Sequence, residues 1–461
     1  MKVLLVNPYI TDFTAYDLWL RPLGLLYIAS VLREYTDCEL YWLDLLDRFQ
    51  ENAFLPGDPS LKNSHPDGRG KYHREILDEK PDVYKTVPRH YCRYGIPFHI
   101  FEKKLDKIPH VDMILITSLM TYWVDGLRIT IDSLRERFPG AKVILGGALP
   151  SLASAHLSRH GVRVDHVIEG YGETKILELA ETLGAKVYSH PEFRGIDDLP
   201  YPAVEYLGSQ KYLPLLTSRG CPFHCTYCAS GILNKEWQER SPEKVWEEIH
   251  YMHDRFGTGH FAIFDDALLL NKRKRFYKIF QKVKENLRVQ FHTPNGLHVG
   301  EMDRETAELF FACGFKTLRL SFESTGAEIL AKSSNKVTVK QMTQAVENLE
   351  AAGYRRKDIG VYLLFGYPGQ KIRDVEESFR FAADLGVAIN LSYYSPVPGT
   401  VDFETLQKSG ALSTPMDLYE TNKIYFVYNK SGFTREQIAV IKEKATSVSQ
   451  GEKKEVKRLR G

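Results

Sequence analysis

The sequence predicts an α/β protein made of two successive parallel-sheet domains. Short apolar segments alternate with amphipathic helical patterns in residues 1–195, and the alternation resumes in residues 196–400 as six strand–helix units. Polar or glycine-rich motifs follow the predicted strands. We therefore expect an N-terminal Rossmann-like, doubly wound parallel sheet and a partial (β/α)6 barrel of the TIM type, followed by a short helical C-terminal segment with a basic tail in residues 401–461.

The N-terminal domain is predicted to contain five strands with helices between them. The strands are expected over residues 2–6, 39–43, 112–117, 142–145 and 165–168, and the helices over residues 22–34, 125–138, 151–160 and 173–183. Such sheets bind ligands at the carboxyl ends of their strands, where glycine permits close approach to the backbone. The candidate contacts at these ends are Thr117, Ser118, Gly146, Gly147, Glu169 and Gly170. Glycines that serve only tight turns are the alternative.

No G-x-G-x-x-G motif follows the first strand, so the usual nicotinamide-dinucleotide fingerprint is absent. A long polar insert at residues 47–110 interrupts the alternation, and loops of this length are usually functional or disordered. Its segment 89–94 mixes basic and aromatic side chains, which are suited to grip an anionic or planar ligand. A lid over the active site is one hypothesis for the insert, and a solvated connection is the other.

The second domain is predicted to be built from six strands, each followed by a helix or a glycine-rich turn. The strands are expected over residues 212–217, 260–264, 289–292, 317–320, 360–364 and 388–391, and the helices over residues 242–256, 272–286, 304–313, 339–352 and 372–385. A further helix is expected over residues 434–445 in the C-terminal segment. Ser241 is the expected N-cap of the first helix. In β/α barrels the chemistry takes place at the carboxyl ends of the strands, and the polar motifs of this domain fall at those ends.

Three of the six cysteines stand in a loop after the first barrel strand. Cys221, Cys225 and Cys228 have the spacing C-x3-C-x2-C, and neighbouring Gly220 and Pro222 keep the loop out of regular structure. Thiolates favour soft metal centres, including iron–sulfur clusters. A four-iron cluster held by three cysteines leaves one iron open to another ligand. A Cys3His zinc site that uses His224, a disulfide and isolated core cysteines are the alternatives.

At this loop the sequence resembles the radical S-adenosylmethionine (SAM) superfamily, whose hallmark is this spacing with an aromatic residue before the last cysteine, here Tyr227. The resemblance implies a [4Fe-4S] cluster on Cys221, Cys225 and Cys228, and cleavage of SAM to a 5′-deoxyadenosyl radical. It further implies SAM contacts by Tyr227, Asn295, Ser321, Glu323 and Gly366.

Two carboxylates of the barrel leave alternatives open. Asp265 and Asp266 resemble the acidic pair that follows the second strand in this superfamily, but a helix cap is the alternative for Asp266. A buried salt bridge is the alternative for Glu323. We name no general acid or base from the sequence, because hydrogen abstraction by a radical does not demand one.

The N-terminal domain resembles the cobalamin-binding domain that precedes the barrel in many radical SAM proteins. The similarity rests on the order of the strands, the helix start at residues 22–25, the Gly146-Gly147 strand end and the turn at residues 169–173. The D-x-H-x-x-G signature of the family is absent. The resemblance implies cobalamin at this edge of the sheet and methyl transfer to an unactivated carbon or phosphorus centre. A cobalamin-independent rearrangement or oxidation and a metal-bearing binding module without turnover are the alternatives.

Composition and net charge indicate what kind of protein this is and which kinds of partner it binds. The formal net charge is +2, with 43% hydrophobic and 26% charged residues, as in a soluble globular protein that binds neither nucleic acid nor membrane. The six cysteines, three of them clustered, fit the reducing cytoplasm. We expect a small-molecule substrate, and the resemblance implies an electron donor such as flavodoxin or ferredoxin.

Overall fold

The computed structural model describes residues 1–49 and 65–450 and forms two compact units. Unit 1 comprises residues 1–214, 252–258 and 412–421, and unit 2 comprises residues 215–251, 259–411 and 422–461. No helix among the described residues is both long enough and apolar enough to cross a bilayer.

Unit 1 contains the predicted Rossmann-like sheet. Its strands are β1 Lys2–Asn7, β2 Ile10–Asp12, β3 Glu39–Asp44, β4 Arg74–Ile76, β5 Cys92–Tyr94, β6 Met113–Ser118, β7 Lys142–Gly147 and β8 His166–Val167. Its helices are α1 Leu23–Tyr35, α2 Phe98–Lys107, α3 Val124–Arg137, α4 Ala148–Ala153 and α5 Glu173–Thr182. The five-stranded sheet has the order β3-β1-β6-β7-β8, and every pair is parallel. The predicted helix at 151–160 is wrong in detail, because α4 ends at Ala153 and a 3-10 segment, Ser154–His160, continues the chain.

The long insert is only partly as predicted. Its residues 50–64 lie outside the described residues, but parts of the remainder form regular structure. Strand β5 joins β2 and β4 in an antiparallel sheet, and α2 precedes β6. The hypothesis that residues 89–94 grip a ligand is wrong for the aromatic side chains. Tyr91 and Tyr94 are buried, and Tyr91 packs against the rings of Phe13 and Tyr84.

Unit 2 contains the predicted partial barrel. Its strands are β9 Leu213–Leu215, which spans the boundary between the units in sequence, β10 Ser218–Arg219, β11 Gln238–Glu239, β12 His260–Ile263, β13 Gln290–His292, β14 Leu297–His298, β15 Phe315–Glu323, β16 Ile359–Phe365 and β17 Ala388–Tyr393. Strands follow the order β17-β16-β15-β13-β12-β9, with β14 paired to β15. These are the six barrel strands that the sequence predicts.

Helices alternate with the barrel strands, and among the described residues three further helices follow the last strand toward the C-terminus of the chain. They are α6 Ser230–Leu233, α7 Pro242–Phe256, α8 Phe276–Asn286, α9 Arg304–Ala312, α10 Ala327–Lys332, α11 Val339–Ala351, α12 Ile372–Asp384, α13 Val401–Lys408, α14 Lys423–Asn429 and α15 Arg435–Gln450. Helix α7 begins as predicted, and the Ser241 hydroxyl lies 3.4 Å from the backbone N–H of Lys244, as expected of an N-cap. Helix α8 begins four residues later than predicted, at Phe276 rather than residue 272.

Aromatic side chains fill the space between the barrel strands and helices α8 and α9. Phe315 on β15 lies 4.0 Å from Phe310 and 5.1 Å from Phe291, measured between ring centroids. All three rings are buried. Burying each such side chain contributes about 1.5–3 kcal/mol, so this cluster holds β13 and β15 against α9.

Candidate functional site

The cysteine loop runs from the end of β10 to α6 in unit 2. Gly220 introduces it with φ +86°, and a Cβ there would lie 2.9 Å from the carbonyl oxygen of Glu236, so only glycine fits. The three thiols at Cys221, Cys225 and Cys228 are free, so the disulfide alternative is not adopted. The Thr226 N–H donates to the Lys332 carbonyl at 3.0 Å and holds the loop against α10.

The donor set of this loop fits an iron–sulfur cluster, since three free thiols within eight residues are soft, anionic ligands once deprotonated. In the described part of the chain, no three His, Cys, Asp or Glu side chains are arranged to hold a single metal ion. The assignment of Cys221, Cys225 and Cys228 to a cluster therefore remains a prediction from their chemistry and position.

Tyr227 brings the loop next to the glycine motif that follows β16. Its ring lies 6.4 Å from that of Tyr367, whose hydroxyl donates to Asp402 at 2.6 Å. Gly366 has φ +81°, and a Cβ there would lie 2.4 Å from the Val427 side chain. The structure thus places Tyr227 and Gly366, both predicted SAM contacts, in one neighbourhood.

Ser321 and Glu323 form a polar group with a residue that the sequence did not single out. The Ser321 hydroxyl donates to the Glu323 carboxylate at 2.9 Å, and the Lys336 ammonium lies 3.4 Å from both side chains. Burial, the largest cause, lowers the pKa of Lys336, but the Glu323 carboxylate and the thiols of Cys225 and Cys228 together raise it by more, so the pKa lies above its usual value and the lysine stays charged. The buried salt bridge considered for Glu323 is present.

The backbone at Glu323 is strained. Its φ is +71°, a conformation that is costly for a residue with a side chain, and the pairing of β15 with β16 shifts register at this point. Such strain, of about 1–3 kcal/mol, persists where the surroundings enforce it and is concentrated at functional sites. Gly296 packs against Ser321, because a Cβ on Gly296 would lie 2.6 Å from the Ser321 hydroxyl oxygen.

The acidic pair after β12 has structural partners. The buried Asp265 carboxylate accepts hydrogen bonds from the Thr217 N–H at 2.7 Å and from the Ser218 hydroxyl at 2.6 Å, and it pairs with Arg275. These bonds end β9 at Leu215, earlier than predicted, and turn the chain toward the cysteines.

Two further polar residues at this edge have hydrogen-bond partners in the structure. Asp266 accepts from the Ser230 hydroxyl at 2.6 Å and does not cap a helix, because turns separate it from α8. Asn295 uses its amide N–H to hold the Phe264 carbonyl at 2.8 Å. Its side-chain nitrogen is therefore already engaged at the end of β12.

In unit 1 the six candidate residues lie side by side along the carboxyl edge of the sheet. Thr117 pairs with Gly146 and Ser118 with Gly147 in the register of β6 and β7. Ser151, which the sequence did not single out, accepts from the Gly170 N–H at 2.8 Å and donates to the Gly147 carbonyl at 2.7 Å. No residue pattern distinguished Ser151 from any other serine at the start of a helix.

This edge is open and partly apolar. Gly147, Glu169 and Gly170 are exposed, and a Cβ on Gly146 would meet nothing closer than 4.0 Å. Leu119 and Met120, which follow β6, are 45% and 36% exposed. A glycine-lined edge with exposed apolar side chains suits a large ligand with apolar surface.

Family models match both units. The model of the radical SAM superfamily matches residues 215–382, and the model of the B12 binding domain matches residues 100–180. An uncharacterized methyltransferase of Pyrococcus horikoshii is 27% identical, over 69% of this chain and 77% of its own length. Cytidylyl-2-hydroxyethylphosphonate methyltransferase of Streptomyces wedmorensis is 24% identical, over 96% of this chain and 89% of its own.

Solved structures share the fold. The radical SAM methyltransferase TsrM from Kitasatospora setae, with cobalamin and a [4Fe-4S] cluster bound, superposes with a TM-score of 0.62 at 16% identity, over 89% of this chain and 75% of that one. The cobalamin-dependent radical enzyme OxsB, with aqua-cobalamin and SAM bound, gives 0.54 at 14% identity, over 89% of this chain and 55% of that one. The likeness extends over both units.

Proposed function

The chain is a radical SAM enzyme with a B12-binding domain, and from this premise we propose that it catalyses cobalamin-dependent transfer of a methyl group to an unactivated carbon or phosphorus centre of a small molecule. One observation carries the proposal. A single chain combines three free thiols near the carboxyl end of the first barrel strand with an open, glycine-lined sheet edge in its B12-binding domain. Curated relatives named methyltransferases support the same reading.

In unit 2, Cys221, Cys225 and Cys228 would hold a [4Fe-4S] cluster, which supplies the electron that cleaves SAM to methionine and a 5′-deoxyadenosyl radical. The Glu323 carboxylate and the Ser321 hydroxyl offer hydrogen-bond acceptors to the amino and ribose hydroxyl groups of SAM. Gly366 keeps the backbone after β16 free of a side chain, and Gly366 and Tyr227 would contact the adenine.

In unit 1, the edge formed by Thr117, Ser118, Gly146, Gly147, Glu169 and Gly170 would hold cobalamin, which carries the methyl group between SAM and the substrate. Ser151 ties Gly147 to Gly170 and so keeps two strand ends in register. Leu119 and Met120 present apolar surface beside this edge.

A small molecule fits the charge of the chain better than a nucleic acid. The 61 Lys and Arg residues nearly balance the 59 Asp and Glu residues, so the chain lacks the basic excess of most proteins that bind a phosphate backbone. The relative that spans 96% of this chain is named for a small phosphonate substrate.

Anaerobic reconstitution tests the cluster. The protein should take up roughly four iron and four sulfide per chain. Cys225→Ala should lose the cluster, and the control Cys38→Ala, which removes a half-buried thiol of unit 1, should keep it. Stoichiometric zinc without iron uptake would contradict the cluster and leave the binding module.

Cobalamin is tested by equilibrium dialysis with hydroxocobalamin, read by visible absorbance. We expect retention of about one cobalamin per chain, and formation of S-adenosylhomocysteine from SAM only when cobalamin is present. Formation of 5′-deoxyadenosine from SAM by a protein that retains no cobalamin would instead establish the cobalamin-independent alternative.

A further inference from the structure

His298 in unit 2 is partly buried, and neither nitrogen of its imidazole has a hydrogen-bond partner among the described residues. Both ring nitrogens are shielded from solvent. A neutral imidazole carries one N–H donor and one acceptor, and a buried donor or acceptor without a partner costs about 1–3 kcal/mol. A group of this kind calls for a specific explanation, such as a bound ion, water or ligand.

The ring of His298 lies against the cysteine loop. It stacks on Phe223 with 4.8 Å between ring centroids and 12° between ring planes, and Phe223 stands between Cys221 and Cys225. In the pairing of β14 with β15, His298 is directly opposite Ser321. The imidazole therefore adjoins both the thiol loop and the polar group around Glu323.

The chain has a glycine, Gly300, beside the His298 ring and several charged groups around it. A Cβ on Gly300 would lie 3.2 Å from Cε1 of His298, so a side chain at position 300 would press on the imidazole. Burial lowers the pKa of His298; the carboxylate of Glu301 opposes this, and the charges of Lys336 and Lys272 lower the pKa further. Near neutral pH the ring is uncharged and keeps its single N–H for donation.

Stacking alone does not account for the residue. A phenyl ring would stack on Phe223 equally well and would bury no polar atom. Shielding the two nitrogens from water is unfavourable, and no hydrogen bond from the described residues compensates for it. A hydrogen bond from the ring N–H to an acceptor would compensate for this loss. The acceptors expected at this loop, a cluster sulfur or the carboxylate of SAM, are anionic.

We propose that His298 is a cofactor-binding residue whose ring N–H donates a hydrogen bond to an anionic acceptor at the cysteine loop. The acceptor is either a sulfur of the cluster or the carboxylate of SAM bound to it. The inference rests on the proposed function of this loop, and it adds a residue from β14 to the predicted cofactor contacts.

The test uses the reconstituted full-length protein with His298→Phe, which keeps the stacked ring and removes both nitrogens. The control is His250→Phe, which changes an exposed histidine of α7 in the same unit. Iron content, the midpoint potential of the cluster without SAM, and the Kd for SAM by equilibrium dialysis are measured for each protein.

Two results support the proposal and distinguish the acceptors. A more negative midpoint potential in His298→Phe identifies cluster sulfur, because a hydrogen-bond donor stabilises the reduced, more negative cluster. A Kd for SAM that rises about tenfold, which corresponds to about 1.4 kcal/mol, at unchanged potential identifies the carboxylate.

His298→Phe with the potential and Kd of the parent overturns the proposal. If that variant does not fold, the same measurements on His298→Leu decide. A parent protein that assembles no cluster refutes the proposed function itself, and is thereby distinguished from a failure at His298 alone.

Discussion

At the scale of single residues, two glycines of one motif show how tightly the site is built. Gly366 and Gly369 follow β16 and have φ values of +81° and +76°. They differ in their surroundings: a Cβ on Gly366 would lie 2.4 Å from Val427, whereas one on Gly369 would meet no atom within 4 Å. Gly366 is required because its φ is positive and because Val427 leaves no room for a Cβ. Gly369 is required only because its φ is positive.

Gly366→Ala should therefore lower the free energy of unfolding by about 3 kcal/mol, the sum of backbone strain and overpacking. Gly369→Ala should cost only the strain, about 1 kcal/mol. Urea denaturation of both variants provides the measurement. Equal losses would show that the contact with Val427 relaxes freely.

At the scale of elements, two helices of the barrel begin with different caps. Asp303 caps α9 by accepting from the Thr306 N–H at 2.9 Å and pairs with Lys272 at 2.7 Å, whereas Thr338 caps α11 with a neutral hydroxyl. Burial raises the pKa of Asp303, but its bonds to Lys272 and Thr306 lower it by more, to about 2.

Because the pKa of Asp303 is lower in the folded than in the unfolded state, its contribution to stability is present above about pH 4 and is lost as the pH falls toward 2. Asp303→Ala should cost about 1 kcal/mol at pH 7 and progressively less below pH 4. The cost of Thr338→Ala should not change with pH. Urea titrations from pH 7 to pH 3 give both curves, and a pH-independent cost for Asp303→Ala would contradict this account.

Asp265 holds the turn that leads from β9 into the cysteine loop. Its carboxylate receives the Thr217 N–H and the Ser218 hydroxyl and faces the buried Arg275 guanidinium at 3.2 Å. The neighbouring Asp266 accepts a hydrogen bond from the Ser230 hydroxyl.

Asp265→Asn should destabilise the protein by about 3 kcal/mol and reduce iron uptake, because it leaves a buried guanidinium with one carboxylate partner fewer and frees the turn. Asp266→Asn, the matched control, should cost about 1 kcal/mol and leave iron uptake intact. Stability is measured in urea, and iron after reconstitution. Full iron uptake by Asp265→Asn would show that the turn holds its position without the carboxylate.

At the scale of the whole molecule, the predicted cofactors are divided between the two units. The thiols and the Ser321–Glu323–Lys336 group belong to unit 2, and the glycine-lined edge belongs to unit 1. The two sites are therefore expected to respond to substitution independently.

Gly146→Leu fills the open edge without a backbone clash, since no atom lies closer than 4.0 Å to its Cβ position. It should abolish retention of cobalamin while iron content stays at the level of the parent. Gly140→Leu, which places the same side chain in an uncrowded turn before β7, should retain cobalamin. Loss of iron together with cobalamin in Gly146→Leu would contradict the independence of the sites.

The sequence alone determined the alternation of strands and helices in both units, the partial barrel and the position of the cysteine loop. These follow from local signals: the apolar periodicity of each strand and helix, the spacing of the cysteines, and glycines at strand ends. Parallel sheets then bring the strand ends to one edge, so Thr117 and Gly146 could be placed together without coordinates.

Only the tertiary structure revealed the partners of those residues. Lys336 contacts Glu323 from the segment between α10 and α11, and Ser151 joins two strand ends. His298 stacks on Phe223 across 75 positions of sequence, and no local pattern predicts a contact over that separation. The short strand β5 and the ends of α4 and α8 were likewise set by long-range contacts rather than by propensity. Local periodicity specifies which elements form, whereas side-chain contacts between distant segments arise only when those elements pack.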